Sequence, residues 1–346
     1  MFVGRRLMRY CMKSLRKNKI THIYIIASAL TVFSIVVGIL FGATKLNLFD
    51  SLSDIIKGNL ESPEARILIY IRLPRVLATL VCGMAFAVSG AVIQNVLANK
   101  LASPSIIGVN SGAGLAVTIC SAFGIIGGWQ LSLFSFAGAF LTVMLVSIGA
   151  KKWGASRGTV ILLGVALNAL LGAFSDTITT FFPDVSVMSN DFKIGDFSSV
   201  TYLKVIPATA VILFSVLVLQ TLSNELDVLT LGDENAKGLG LNIKVTRVVF
   251  LLLSALLAGA AVSVCGLLSF VGLLVPHAVR RIASSESKHL IPLCALLGAA
   301  FVTLCDTLAR VVFAPYELPV GIIMAFLGSP FFIFILIKGK GGHANA

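Results

Sequence analysis

The sequence predicts an all-α membrane protein that crosses a bilayer about ten times. Hydrophobic residues make up 57% of the 346 residues and charged residues only 12%, whereas soluble domains carry about 25% charged residues. The mean hydropathy is +0.99. A helix needs about 20 predominantly apolar residues to cross the hydrocarbon core. Ten such windows lie near residues 20–43, 67–97, 106–126, 131–150, 160–182, 202–221, 245–265, 267–282, 290–312 and 318–337.

These windows leave little chain for a soluble domain, so we expect one transmembrane domain over residues 1–346. Residues 1–19 form a basic segment before the first window, residues 223–244 form the longest inner loop, and residues 338–346 form a short tail. The first window does not read as a cleaved signal peptide. It is too long, it lacks an A-x-A cleavage pattern, and it follows a segment rich in Lys and Arg.

The distribution of Lys and Arg predicts a cytoplasmic-membrane protein with both termini in the cytoplasm, because basic loops are retained on that side. With this orientation, 19 of the 27 basic residues lie inside. The formal charge of +12 is therefore mainly a topology signal, and no nucleic-acid partner is expected, because such partners need a basic soluble face. Eight basic residues lie outside: Lys45, Lys57, Arg66, Arg72, Arg75, Lys193, Lys204 and Arg310.

The sequence indicates no catalytic residues, no metal site and no cofactor. A G-x-x-x-x-G-K-[ST] phosphate loop is absent, so the chain does not hydrolyse ATP by that chemistry. His277, near the inner end of the eighth window, has no second His or Cys at helical spacing, and Pro276 is expected to end or bend that span. The cysteines lie singly without a C-x-x-C pair, at Cys11, Cys82, Cys120, Cys265, Cys294 and Cys305.

The inner loop 223–244 is a candidate contact surface for another protein. Its acidic residues run against the basic bias of the other inner loops. Asp233 and Glu234 suit the positive N-terminal end of a short helix, and Gly238 or Gly240 is expected to end it. A solvated connector is the alternative interpretation.

Arg72 and Arg75 begin the second window and Arg310 ends the ninth on the same, outer side. We expect all three to reach the water outside, where a planar guanidinium can bind a carboxylate through two hydrogen bonds. Snorkelling at a span end is one alternative. For Arg310, an ion pair with Asp306 one helical turn earlier is another.

Polar residues inside the third and fifth windows are candidates for lining a pathway. Asn110 and Ser111 lie beside glycines that permit close helix packing, and packing alone explains them equally well. Asn168 and Asp176 belong to the fifth window, whose outer half is unusually polar. Asp176 faces either a wet vestibule or another polar side chain, and the sequence leaves both interpretations open.

The order and spacing of several motifs resemble the FecCD family of permeases, which import ferric siderophores, haem and cobalamin. The resemblance covers about residues 72–338. The motifs are R-L-P-R at 72–75, G-V-N-S-G-A-G at 108–114, A-K-G-L-G at 236–240, F-V-G-L-L-V-P-H at 270–277, and D-x-x-x-R at 306–310 followed by E-L-P-V-G at 317–321.

This resemblance implies ten spans per subunit, as in the permease of a cobalamin importer, and a homodimer with the pathway along its two-fold axis. The sequence leaves open whether the second permease is an identical copy or a paralogue. It implies separate ATPase subunits on the cytoplasmic side and a substrate-binding protein outside. Arg72, Arg75 and Arg310 then pair with glutamates on that binding protein. The residues implied in ATPase coupling are Gly232, Asp233, Glu234, Ala236, Lys237, Gly238, Leu239 and Gly240.

A ferric siderophore is the expected cargo, since most family members serve iron uptake, with haem and cobalamin as alternatives. An ion-coupled secondary transporter is a weaker alternative of another class. It would place a coupling carboxylate or a broken helix near the membrane midplane, whereas Asp176 and Asp306, the intramembrane acids, lie toward span ends. An intramembrane enzyme would need a nucleophile and a base on neighbouring faces, and no H-E-x-x-H occurs.

Overall fold

The computed structural model describes residues 2–44, 53–57, 59, 62–125, 127–153 and 156–340, with backbone only for 2–18 and 334–340. Helices dominate these residues, and no β-strand occurs among them. The helices are α1 Phe2–Leu40, α2 Pro63–Arg66, α3 Leu73–Val96, α4 Val109–Ala122, α5 Gly128–Lys152, α6 Arg157–Phe181, α7 Pro183–Met188, α8 Asn190–Ile194, α9 Tyr202–Thr221, α10 Ser223–Thr230, α11 Asp233–Gly238, α12 Ile243–Cys265, α13 Val271–Ile282, α14 Ser287–Val311 and α15 Val320–Lys340.

The predicted all-α membrane fold is confirmed, and each of the ten windows contains a helix. Seven of the described helices are long and apolar enough to cross a membrane. The second of these continues from α2 through a π-helical turn, Ile67–Arg72, into α3. Three windows hold α4, α13 and α15 instead. Of these, α4 has 14 residues and α13 has 12, which is shorter than a full span.

Left-handed backbone conformations explain the two short helices. Gly108, with φ of 95°, precedes α4, and a short 3-10 turn at Pro104–Ile107 occupies the start of that window. Gly266, with φ of 73°, ends α12, and Phe270, with φ of 68°, precedes α13. A residue in this region cannot continue a right-handed helix. The first residues of the window 267–282 are therefore not helical.

The core is built around α3, which packs against α12, α13 and α14. In the 18-residue apolar stretch of each span, 83% of the residues are buried for the span that contains α3 and 72% for α12 and for α14, but only 11% for α6. Glycines allow the closest approaches. A Cβ on Gly83 would collide with the backbone of Gly298 on α14, and one on Gly90 would collide with the backbone of Gly272 on α13. Small residues at such crossings are typical of membrane helix packing.

The antiparallel helices α3 and α14 define two ends of the bundle. Arg75 of α3 contacts Asp306 of α14 at one end, which we call the arginine end. Asn95 of α3 contacts Ser287 of α14 at the other. The segment 223–244 lies at this second end, because Asp227 also contacts Ser287. We call it the loop end.

Replacing Gly83 with Val should destabilise the fold strongly. The added side chain meets backbone atoms of Gly298 that cannot move aside, and overpacking typically costs about 1–3 kcal/mol or more. The melting temperature of the purified protein in detergent measures this effect. Gly114→Ala is the matched control, since no atom lies within 4 Å of a Cβ at that position. Equal melting temperatures for the two variants would contradict the proposed packing.

Candidate functional site

A buried carboxylate organises the arginine end. Asp306 is completely buried. The side chain of Arg75 donates to Asp306 Oδ1 from Nε at 3.1 Å and from Nη2 at 3.0 Å. Arg310 lies one turn along the same helix, and its Nε is 3.0 Å from Asp306 Oδ2. This second contact is an ion pair without a well-aligned hydrogen bond, because the Nε of Arg310 has no hydrogen-bond partner.

Two further residues complete what we call the arginine cluster, which consists of Arg72, Arg75, Asp306, Arg310 and Glu317. Arg75 Nη1 donates to Glu317 Oε2 at 2.6 Å. The side chain of Glu317 is 33% exposed, so this carboxylate is the part of the cluster nearest to solvent. Glu317 follows α14 and belongs to the E-L-P-V-G motif. The cluster therefore joins the beginning of α3, the end of α14 and the connection to α15.

Arg72 and Arg310 also cap the end of α1. The last four carbonyls of a helix lack partners within it, and in α1 these belong to residues 37–40. Phe41 N donates to the first of them, Val37 O, at 2.9 Å. Arg310 Nη2 donates to Gly38 O at 3.1 Å. Arg72 Nη1 donates to the last two, Ile39 O at 2.6 Å and Leu40 O at 2.8 Å. All four terminal carbonyls of α1 are thus satisfied, three of them by arginines.

The expectation that all three arginines reach the water outside is wrong for this structure. Arg72, Arg75 and Arg310 are 3%, 4% and 2% exposed. The reason is that each guanidinium has partners inside the bundle, and the alternative of an ion pair between Arg310 and Asp306 is present. Snorkelling is excluded as well, because these side chains turn toward protein groups instead of the surface.

At the loop end, segment 223–244 folds into two short helices, α10 and α11. The predicted helix starting at Asp233 is confirmed as α11, which ends at Gly238, and Gly240 follows with φ of 84°. Helix α10 was not predicted. Gly232, with φ of 99°, separates the two helices. Its left-handed conformation requires a residue such as glycine.

Helix α11 is fixed to two spans and presents an exposed face. Asp233 Oδ1 lies 2.9 Å from Arg247 Nη2 of α12 and 3.6 Å from Arg157 Nη2 of α6. Ala236 is fully buried beneath the helix. Leu239, directly after the helix, is 65% exposed. The other exposed residues from 233 to 240 are Glu234, Asn235, Lys237, Gly238 and Gly240.

Three of the four candidate pathway residues come together, and the fourth does not. Ser111 Oγ donates to Asn168 Oδ1 at 2.5 Å, and Asn168 Nδ2 donates to Ser105 O at 2.9 Å. Asn110 borders a nearby cavity of about 240 Å³, which Ser105 and Phe270 also line. Asp176 lies apart from them, on the exposed face of α6.

Two buried amides lie at the loop end of α3 and were not predicted as functional residues. Gln94 and Asn95 are 3% and 8% exposed, and both accept hydrogen bonds from Arg280 of α13. The sequence signal that could have identified them is a pair of adjacent amide residues in the last turn of an otherwise apolar window. Such residues inside a membrane protein usually face other protein groups.

The expectation that no G-x-S-x-G pattern, typical of hydrolase nucleophiles, occurs is wrong, because residues 154–158 read G-A-S-R-G. Its serine, Ser156, is the N-cap of α6. Ser156 Oγ accepts from Thr159 N at 3.0 Å and lies 2.8 Å from Thr159 Oγ1. The hydroxyl is therefore used to begin a helix, and the pattern has a structural explanation.

A sequence model of the FecCD transport family matches residues 30–338. The chain belongs to the FecCD transport family. The Fe(3+)-citrate import system permease protein YfmD of Bacillus subtilis is 33% identical over 320 residues, which cover 92% of this chain and 95% of that protein. The hemin transport system permease protein HmuU of Yersinia pestis is 36% identical over 276 residues, which cover 78% of this FecCD chain and 83% of its relative.

A solved structure shares the fold of this FecCD protein. It is described as an inward-facing conformation of an ABC transporter assigned to the metal-chelate type. The TM-score is 0.79 at 27% identity, over 92% of this chain and 99% of the solved one. The FecCD chain is therefore a multi-pass membrane permease of an ABC transporter, and its family consists of transport permeases.

Replacing Asp306 with Ala should destabilise this FecCD permease by about 3–5 kcal/mol, because removing one partner of a buried ion pair leaves the other uncompensated. Asp306→Asn should cost less, since an amide oxygen still accepts a hydrogen bond. The melting temperature in detergent measures both effects. Asp184→Ala, at an exposed acid of α7, is the control. A loss at Asp306 no larger than at Asp184 would show that the cluster contributes no stability.

Proposed function

We propose that this FecCD permease moves a ferric siderophore complex across the cytoplasmic membrane into the cell. It would act with a second permease copy or paralogue, with separate ATPase subunits and with an extracytoplasmic binding protein. The observation that carries the proposal is the exposed helix α11 at the loop end, attached to two spans through Asp233. An ATPase needs such a contact, because the permease itself lacks a phosphate loop.

The proposed orientation is supported by the distribution of charges. The loop end and both termini are proposed to be cytoplasmic, since 19 of the 27 basic residues fall on that side in this arrangement. Basic loops next to spans are retained in the cytoplasm. The arginine end then faces outward, where the binding protein would deliver the cargo.

Helix α11 is proposed to seat in the ATPase and to transmit its movement. In the part of the chain that the structure describes, Glu234, Lys237 and Leu239 are exposed and can contact a partner. An exposed leucine with charges beside it suits a protein contact, in which an apolar anchor is surrounded by polar groups. Because Asp233 contacts both Arg157 and Arg247, a displacement of α11 would reach α6 and α12 directly.

The pathway is proposed to run beside α6, between two permease copies. Among the long spans that the structure describes, this helix has the smallest share of buried residues in its apolar stretch, at 11%. It also carries the exposed Asp176. Polar side chains in a span usually face water or protein, because exposure to lipid is costly. The cavity beside Asn110 and the Ser111–Asn168 hydrogen bond lie at the adjoining helix α4. Cargo need not bind tightly along this route.

Docking of the binding protein through Arg72, Arg75 and Arg310 is proposed from the family resemblance. In this structure their guanidiniums already have partners, so docking requires an exchange. Arg75 is the best placed, because its partner Glu317 is 33% exposed. A glutamate of the binding protein could replace that carboxylate without leaving Arg75 unpaired.

The cargo is proposed from the relatives. The name of one similar permease includes Fe(3+)-citrate and that of another iron(3+)-hydroxamate. Both are ferric chelates. Haem is the second candidate, because a hemin permease is 36% identical to this chain.

Deleting the gene should abolish uptake of one radiolabelled cargo among ferric citrate, a ferric hydroxamate, haem and cobalamin. A plasmid copy should restore that uptake. Vanadate should inhibit it, whereas collapsing the ion gradients at constant ATP should not. Inhibition only by gradient collapse would instead support the ion-coupled transporter. Unchanged uptake of all four cargoes in a strain without other importers would overturn the proposed function.

Leu239→Asp should uncouple the permease from its ATPase while leaving the fold intact. The carboxylate would be buried at the proposed contact, and a change of about 1.4 kcal/mol already corresponds to a tenfold change in affinity. Co-purification of the ATPase with the tagged permease, together with cellular uptake, measures the loss. Leu101→Asp is the control, since Leu101 is also exposed, at 48%. Normal co-purification with Leu239→Asp would contradict the contact.

A further inference from the structure

We infer that a partly buried chain of hydrogen bonds at the loop end transmits the movement of segment 223–244 to α13 beside the cavity. This inference rests on the proposed function and adds positioning residues to it. The chain, which we call the polar chain, consists of Asp227, Ser287, Asn95, Arg280 and Gln94 and ends at the carbonyl of Gly272. It links α10 to α14, α3 and α13 in turn.

The first link fastens α10 to the start of α14. The backbone N–H of Ser287 donates to the carboxylate of Asp227, with N to Oδ1 at 2.9 Å and N to Oδ2 at 3.2 Å. Ser287 is the first residue of α14 and is fully buried. An acid at a helix N-terminus satisfies an otherwise unpaired N–H and is favoured by the helix dipole. Movement of α10 therefore acts directly on a 25-residue helix.

The second link joins α14 to α3. Asn95 Nδ2 donates to Ser287 Oγ at 3.3 Å, so Ser287 contacts Asp227 through its backbone and Asn95 through its side chain. Asn95 Oδ1 in turn accepts from Arg280 Nη2 at 2.9 Å. The amide of Asn95 thus has one partner on α14 and another on α13, and its position depends on both helices.

The third link ties α13 to α3 at two places. Arg280 Nη1, in the last turns of α13, donates to Gln94 Oε1. Gln94 Nε2 donates to Gly272 O, in the first turn of α13, at 2.9 Å. Gln94 therefore connects the two ends of the 12-residue helix. Pro276 lies inside this helix and does not end it. Because proline has no N–H to donate to Gly272 O, Gln94 supplies the donor there, and its two contacts hold α13 on both sides of the proline.

The end of the polar chain lies at the candidate pathway. Gly272 borders the cavity of about 240 Å³ together with Asn110 and Phe270. Phe270 precedes α13 with φ of 68°, a conformation that costs energy for a residue with a side chain. Its ring packs against Gly328 of α15. A shift of α13 would move the wall of this cavity, and the strained residue is the joint about which it would turn.

Packing alone does not require this arrangement. Gln94, Asn95 and Ser287 are at most 8% exposed, and apolar side chains of similar size would fill the same space. Buried amides that each bind two different elements fix their relative positions, and a fully satisfied network of this kind is strong. A double-mutant cycle tests whether these spatially connected residues are also energetically coupled.

The test compares transport with ATP hydrolysis. The tagged permease is purified from its own host together with its ATPase, and ATP hydrolysis per complex is measured in liposomes. Uptake per complex is measured in deletion cells with whichever radiolabelled cargo the wild type restores. We expect Asp227→Leu and Asn95→Leu each to lower the ratio of uptake to ATP hydrolysis by about fivefold or more. A fivefold change is the lower end of the effects that typical coupling free energies produce. Partial unfolding would lower both rates together and leave their ratio unchanged.

Two further variants separate coupling from helix packing. Asp227→Asn retains an acceptor for Ser287 N and should keep a ratio close to that of the wild type. Thr79→Val removes a buried hydrogen bond of 2.9 Å to Thr303 between the same helices, α3 and α14, in their other half. It should leave the ratio unchanged. An equal effect of Thr79→Val and Asn95→Leu would overturn the inference.

The double variant Asp227→Leu/Gln94→Leu decides whether the polar chain acts as a unit. These two residues share no contact, so independent effects would multiply. A single transmission route predicts that the double variant is no worse than the more severe single one. Multiplicative effects, or ratios unchanged in all variants, would overturn the inference while leaving the proposed function intact. Absence of vanadate-sensitive uptake by the wild type would overturn both.

Discussion

The arrangement of the bundle depends on a carboxylate in a place where water cannot solvate it. Asp306 is completely buried and shared by Arg75 and Arg310, so neither helix α3 nor helix α14 can move at the arginine end without exposing a charge to an apolar environment. The same constraint extends to α1. Its terminal carbonyls have no partners within the helix, and Arg72 and Arg310 supply donors for three of them.

Helices α3 and α14 thus form a pair that is locked at the arginine end by charges and in the middle by glycines, where Gly83 approaches the backbone of Gly298. At the loop end they are joined by neutral hydrogen bonds through Asn95 and Ser287. Breaking a hydrogen bond costs less than separating a buried ion pair. The contacts between α3 and α14 are therefore weakest at the loop end, and the two helices can separate most easily there. This is the end at which the proposed ATPase would act.

Much of this fold could be predicted from the sequence, because hydropathy reports each span independently of its neighbours. The windows 202–221 and 245–265 differ from α9 and α12 by at most two residues. The breaks before α4 and α13 were harder to predict. For α13 the reason is that Phe270 has no intrinsic preference for its left-handed conformation. The burial of Arg72 was missed for a similar reason. Its carbonyl partners lie on α1, and only tertiary packing reveals that the end of that helix lacks donors.

Burial of the arginines does not remove them from the proposed docking of a binding protein. The side chains of the arginine cluster are three arginines and two carboxylates, so they hold one more cation than anions. A medium of low dielectric screens such a charge weakly. Acidic groups on a partner would be attracted before any contact forms. Glu317, which is partly exposed beside Arg75, occupies the position that such a group would take. If the binding protein replaces only Glu317 as the partner of Arg75, Asp306 stays paired with Arg75 and Arg310 throughout docking. Buried arginines need such an exchange of partners, whereas exposed arginines would not.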